Sequence, residues 1–168
     1  MTVTSLPLPR RDRARAAVIA RPALTVAALD AIWAMTLWSV VLRRVTPGQL
    51  WQGVAGALLG PIARQGGAAT VVLGLAMHLT VATTWSAIYY VAVRRVVWFR
   101  ALAAGRAALA LGVAYGAFVW CVMDLVVIPF THARVQLPST GLFWVNLVGH
   151  MLVVGPPIAL WMRAEARS

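Results

Sequence analysis

The chain has 168 residues, of which 61% are hydrophobic and only four are acidic. This composition excludes an ordinary soluble domain, because too little polar surface remains to face water. The fifteen basic residues are all arginines, and the net charge is +11. The arginines lie between the apolar runs and near the N-terminus. That distribution indicates contacts with anionic lipid headgroups and not with nucleic acid.

Residues 1–21 form a polar, arginine-rich arm. We expect this arm to be cytoplasmic and either disordered or in contact with the headgroups. The apolar stretch that follows is too long for the core of a signal peptide and has no small-residue cleavage site. It therefore predicts a first membrane helix that is retained.

Four segments reach the roughly 20 apolar residues that are needed to cross a hydrocarbon core of about 30 Å. They cover residues 22–42, 68–93, 107–130 and 142–162. A helix satisfies its own backbone hydrogen bonds in lipid. The sequence therefore predicts an all-α fold, a four-helix transmembrane bundle forming one domain over residues 22–162, with a cytoplasmic tail at 163–168.

A fifth apolar segment lies between the first two spans, at about residues 47–60. Thr46 can cap it, Pro47 suits the first helical position, and Gly60-Pro61 interrupts it. At about fourteen residues it is too short to cross a bilayer. We expect a short helix that lies in the interface or re-enters the membrane partway.

The arginines also predict the orientation, because positively charged loops stay in the cytoplasm. Eleven of them lie in the N-terminal arm, in the loop after the second span and at the C-terminus, whereas four lie in the other two loops. Both termini are therefore expected in the cytoplasm, with the protein in the cytoplasmic (inner) membrane.

Ionisable side chains inside the spans are the best indication of a site, because they are costly in hydrocarbon. His78 and His150 each lie roughly ten residues, or about 12 to 15 Å, from the outer end of a span. Asp30 falls near the same depth and Asp124 slightly closer to the outer face. Asn146 precedes His150 by four residues and shares its helical face. We expect these five residues to form one central polar cluster.

Several functions are compatible with such a cluster. The histidines can simply donate to backbone carbonyls or to threonines of a neighbouring helix, such as Thr80, Thr83 and Thr84. Proton, ion or small-solute handling uses the same residue types. His78 and His150 could instead be the axial ligands of a haem, or join Asp124 in a transition-metal site.

Small residues predict where helices approach closely, because the spacing of Gly56 with Gly60 and of Gly112 with Gly116 suits helix contacts in lipid. Gly53 belongs to the same series. Pro156-Pro157 should kink the last span just after His150. The single Cys121 excludes an intramolecular disulfide.

No phosphate-binding glycine loop, HExxH zinc motif or GxSxG nucleophile elbow is present in the sequence, so we expect no enzyme. The runs LWQGVAGALLGPIARQGG and VNLVGHMLVVGPPIALW, with the helix around His78 between them, resemble uncharacterised bacterial four-helix inner-membrane proteins, distantly of the YagU type. The residues that carry the resemblance are Gln52, Gly53, Gly60, His78, Gly149 and His150. It implies the same architecture and places both histidines in one pattern, but it implies no activity.

The sequence thus predicts an integral membrane protein with a central polar cluster, serving proton, ion or small-solute handling or stress tolerance. The alternatives are a haem- or metal-binding redox protein and a purely structural or partner-binding membrane subunit. No cofactor is expected under the first hypothesis. A homo-oligomer or a larger membrane complex is compatible with the chain.

Overall fold

The computed structural model describes the backbone of residues 10–168 and the side chains of residues 17–168. Every regular element in this part of the chain is helical. The α-helices are α1 (Arg10–Met35), α2 (Pro47–Leu59), α3 (Gly67–Arg95), α4 (Val97–Ala104), α5 (Ala108–Val122), α6 (Gly141–Val153) and α7 (Gly155–Arg167). Short π-helical and 3-10 turns extend α1, α2 and α5.

Four helical segments are long and apolar enough to cross a membrane: Ala17–Val41, Gly67–Arg95, Ala108–Phe130 and Gly141–Arg167. These segments overlap the four predicted spans. Large apolar side chains cover their outer surfaces, among them Leu24, Val72, Phe118 and Leu152, each more than half exposed. Such surfaces suit contact with lipid and not with water. The all-helical, multi-pass prediction is confirmed at this level.

The first helix begins earlier than expected. Residues 10–21 belong to α1, whereas the sequence placed them in the basic arm. Arginine and alanine, which dominate this stretch, are strong helix formers, so the helix extends upstream of the apolar segment. Pro22 lies inside α1. The first nine residues of the predicted arm lie outside the described residues.

The short helix between the first two spans is present as α2. Thr46 Oγ1 accepts from the Gln49 amide at 3.3 Å, and Gln49 Oε1 accepts from the Thr46 amide at 2.9 Å. This reciprocal capping box satisfies two amides that would otherwise lack partners. Gly60 ends the helix with φ at +71°, a conformation that favours glycine. Its relation to a bilayer, interfacial or re-entrant, remains a prediction.

The last span is divided at Val154, two residues before the Pro156-Pro157 pair. These prolines occupy the first positions of α7, where a missing amide hydrogen costs little. The helix is therefore interrupted four residues after His150, where the proline pair predicts a kink.

The tightest packing occupies the half of the bundle nearest the connection from α3 to α5. Tyr89, Ile158 and Met162 are fully buried there. The Tyr115 hydroxyl donates to the Trp85 carbonyl at 2.7 Å, and the rings of Tyr89 and Tyr115 meet edge to face. Because this half is filled, the space for a site lies in the other half, towards the 42–66 and 131–140 connections.

Candidate functional site

Asp30 lies between the two histidines. Its Oδ2 is 3.9 Å from His78 Nδ1, and its Oδ1 is 4.0 Å from His150 Nε2. Three different helices, α1, α3 and α6, supply these side chains. All three side chains are more than four-fifths buried. The structure therefore brings together three of the five residues of the predicted polar cluster.

The remaining ring nitrogens are held by backbone carbonyls. His78 Nε2 lies 3.0 Å from the Ala27 carbonyl oxygen, and His150 Nδ1 lies 2.9 Å from that of Asn146. A carbonyl oxygen only accepts, so each of these nitrogens carries the hydrogen. In a neutral imidazole the opposite nitrogen then has a lone pair. Both lone pairs face the carboxylate of Asp30.

This geometry turns the two imidazole nitrogens towards the Asp30 carboxylate without a direct hydrogen bond. Distances of 3.9 and 4.0 Å exceed the usual range for one. Asp30 Oδ1 is buried and has no hydrogen-bond partner among the described residues. A single proton on any of the three groups would convert repulsion between acceptors into a charge-assisted contact. The carboxylate and the two imidazole nitrogens therefore form one compact group of acceptors.

Tryptophan rings support both histidines. Trp51 of α2 lies 5.3 Å from the His78 ring, and Trp120 of α5 lies 4.8 Å from the His150 ring, centroid to centroid. Both tryptophans are buried. Their packing restricts the imidazoles to orientations that face Asp30.

Glycines set the helix approaches that create this group. A Cβ on Gly149 would overlap the indole of Trp33, three residues after Asp30, and one on Gly116 would overlap the His150 carbonyl. Similarly, Gly74, one turn before His78, contacts the backbone of Trp51. Only residues without a side chain allow these close approaches. Each histidine is therefore positioned by glycine contacts within a turn of it or at its own backbone.

The predicted packing glycines fall into two groups. Gly112 and Gly116 lie at tight contacts of α5 with α7 and α6. On α2, by contrast, Gly53 has nothing within 4 Å of its Cβ position, and Gly56 makes only an ordinary contact with Ala63. Gly60 serves the left-handed cap of α2 and faces the ring of His132. The sequence prediction did not include the close approach at Gly149, because the residues four positions before and after it are valines and no small-xxx-small pair marks it.

Asp124 and Asn146 belong to a separate, neighbouring group. Asp124 Oδ1 accepts from the Gln136 amide at 3.0 Å, and the Gln136 side-chain oxygen accepts from Asn146 Nδ2 at 3.1 Å. Asn146 Nδ2 also donates to the Leu142 carbonyl at 2.9 Å. The predicted single cluster is therefore two groups, and the second depends on Gln136. Nothing in the sequence marks Gln136, because it lies in a loop whose path is a tertiary property.

One cavity of about 530 Å³ connects the two groups. Asp30, His78, His150 and Asp124 line it, together with the buried rings of Trp85 and Trp120. The exposed residues Arg64 and Arg134 also line it, from the connections that flank α2 and follow α5. Its volume lies in the range of small-molecule sites, and its wall combines apolar surface with a few converging polar groups, as such sites do.

The threonines of α3 take no part in the site. Thr80, Thr83 and Thr84 each donate to a carbonyl one turn earlier in their own helix. His132 is exposed in the loop after α5. One nitrogen of each histidine ring therefore contacts a backbone carbonyl, as the structural hypothesis expects, and neither ring contacts a threonine.

The arrangement does not fit a metal or a haem. Among residues 17–168, no group of three or more His, Cys, Asp or Glu side chains is placed to hold a metal ion, so His78, His150 and Asp124 are not assembled as a ligand set. Axial ligation would need a ring nitrogen of each histidine on either side of a porphyrin-wide slot. The two nitrogens without carbonyl partners instead face the same carboxylate.

Comparison of the chain with family models, with curated proteins and with solved structures finds no match. Its class therefore follows from the fold alone: the four long apolar helices are those of a multi-pass membrane protein.

Proposed function

We propose that this protein handles protons together with a small solute, using the cavity as the binding chamber and Asp30, His78 and His150 as the proton-carrying group. The observation that carries the proposal is the carboxylate facing two imidazole nitrogens that their own backbone contacts leave as acceptors. Intramembrane carboxylates and histidines in such chains are the parts used by proton relays.

The purely structural alternative accounts for less of the geometry. One hydrogen bond from each ring to a carbonyl would anchor the histidines without any carboxylate nearby. Placing Asp30 against both free nitrogens adds a desolvated charge that contributes no direct hydrogen bond to either ring. A site that exchanges protons gives this costly group a role.

We place the protein in the cytoplasmic membrane of a bacterium, and the arginine distribution supports an orientation with both termini inside. In that orientation the cavity faces the outer side, with Arg64 and Arg134 at its mouth, and α2 lies at the outer interface or re-enters it. The arginines of the N-terminal arm then contact anionic headgroups. The protein acts without catalysing a covalent reaction and without binding nucleic acid.

Proton flux into liposomes tests the proposal. The purified full chain is reconstituted in liposomes that contain a pH-sensitive dye, and a potassium diffusion potential drives protons inward. We expect the proton flux of the Asp30→Asn variant to equal that of protein-free liposomes, because an amide does not bind and release protons as a carboxylate does. His78→Gln and His150→Gln should each slow the flux, since glutamine keeps an amide donor but has no titrating nitrogen.

Two variants serve as matched controls. Glu165→Gln removes a carboxylate outside the cavity, and His132→Gln removes an exposed histidine. Both should retain the wild-type rate. An Asp30→Asn protein that conducts as fast as the wild type would refute the proposal.

A further inference from the structure

The second carboxylate of the cavity has an oxygen without a partner. Asp124 is 3% exposed, and its Oδ1 is used by the Gln136 amide. Its Oδ2 is buried and has no hydrogen-bond partner among the described residues, although the residue lines the cavity. A buried carboxylate oxygen without a donor costs free energy, so a donor that reached Oδ2 would stabilise the site.

No cationic side chain among residues 17–168 supplies that donor. The ion pairs formed by residues 17–168 involve Asp30 and the two histidines only. Arg64 and Arg134 line the same cavity but are exposed and form no ion pair with Asp124. Because solvent screens exposed charges far more than buried ones, the interior of the cavity is dominated by its carboxylates.

Aromatic faces line the space beside the carboxylates. Trp120 lies one turn before Asp124 on the same helical segment, and Trp85 lies across the cavity on α3. Tryptophan faces attract cations, most strongly where water is excluded. The indole Nε1 of Trp120 is buried and also has no hydrogen-bond partner among the described residues.

We propose that the cavity binds a small organic cation, a primary ammonium group on an apolar or aromatic body, with the ammonium at Asp124 and the body against Trp85 and Trp120. This inference rests on the proposed function, since it names the class of solute that the chamber takes. An ammonium group offers three donors and so satisfies the free Oδ2. An anion would instead enter a desolvated space beside two carboxylates.

Binding of three matched probes tests this inference directly. The full chain in lipid nanodiscs is titrated by calorimetry at pH 7 with 2-phenylethylammonium, 3-phenylpropanoate and 2-phenylethanol, with empty nanodiscs subtracted. The three probes share a ring and a two-carbon spacer and differ in charge. We expect the ammonium to bind more than about tenfold tighter than the other two, as is typical where a buried charge finds its partner.

The Asp124→Asn variant isolates the charge. Asparagine keeps a carbonyl oxygen for the Gln136 amide and nearly the same volume, so the loop contact at 3.0 Å can persist. We expect this variant to lose more than about tenfold in affinity for the ammonium probe. Glu165→Gln is the control and should bind like the wild type.

A second variant keeps the test decisive if Asp124→Asn does not fold. Arg134→Gln removes a positive charge from the mouth, so the ammonium should bind as tightly or more tightly. Weaker ammonium binding in Arg134→Gln, equal or tighter binding of the propanoate or the alcohol, full affinity in a folded Asp124→Asn protein, or no measurable binding of the ammonium would each overturn the inference.

The two proposals fail separately. Ammonium binding is measured without any flux, so its loss leaves the proton measurement on Asp30→Asn standing. Conversely, wild-type proton flux in Asp30→Asn together with selective ammonium binding would refute the proton role alone.

Discussion

Replacing Gly116 by alanine should loosen the contact that positions His150. The added methyl group would overlap the His150 carbonyl, its carbonyl carbon and the Met151 Cα, all atoms of the α6 backbone. A backbone cannot move aside as the end of a flexible side chain can, so α5 and α6 must separate. The perturbation is one methyl group in a position where the helix surfaces already touch.

Two opposing effects determine how far the free energy of unfolding changes in Gly116→Ala. Overpacking in a tight contact costs about 1 to 3 kcal/mol, and contact with a backbone places this site near 3 kcal/mol. Alanine in a helix gains about 1 kcal/mol over glycine. The free energy of unfolding should therefore fall by about 2 kcal/mol, which corresponds to a Tm lower by about 4 to 8 °C for a chain of this length.

Gly53→Ala is the matched control for the helix-propensity gain. Gly53 is also inside a helix, but a Cβ there has nothing within 4 Å. Its Tm should equal or slightly exceed that of the wild type. Thermal unfolding of the detergent-solubilised proteins, followed by circular dichroism, compares the three. If Gly116→Ala unfolds at or above the temperature of Gly53→Ala, the close approach of α5 to α6 is not as described.

Three further outcomes follow from individual contacts. Thr46→Ala removes half of the capping box and should lower the free energy of unfolding by about 1 kcal/mol, measured by the same thermal unfolding. Tyr115→Phe removes the hydroxyl that donates to the Trp85 carbonyl and should cost about 1 kcal/mol; an unchanged Tm would argue against that bond. The absorption spectrum of the purified protein should lack a haem Soret band, whereas a band lost in both His78→Ala and His150→Ala would reverse our view of these histidines.

The spans, the cap of α2 and the break in the last span could be predicted, because they depend on neighbouring residues in the chain. Apolar length predicts a crossing helix, Thr46 and Gln49 form their capping box within one turn, and Pro156-Pro157 stand where the last span divides. The helix that carries the first span begins upstream of the apolar segment, at Arg10, because arginine and alanine continue a helix on propensity and not on apolar character.

Residue type and depth could be read from the sequence for the site residues, but the contacts between their side chains could not. Depth along a span follows from counting residues, so Asp30, His78 and His150 could be placed at one level. Counting does not say which faces of the helices meet. Asp124 lies only slightly closer to the predicted outer face, yet it bonds to Gln136 of a loop and not to a histidine.

The sequence by itself determined that this chain is helical, that four helices can cross a membrane, and that costly ionisable groups lie inside them. Only the tertiary structure decided that one carboxylate faces two imidazoles and that a second lines the same cavity with a free oxygen. The physical reason is that glycine contacts at Gly116 and Gly149 set the rotation and spacing of the helices. Those contacts join residues far apart in the chain, and the local spacing that marks Gly116 does not say which helix it meets.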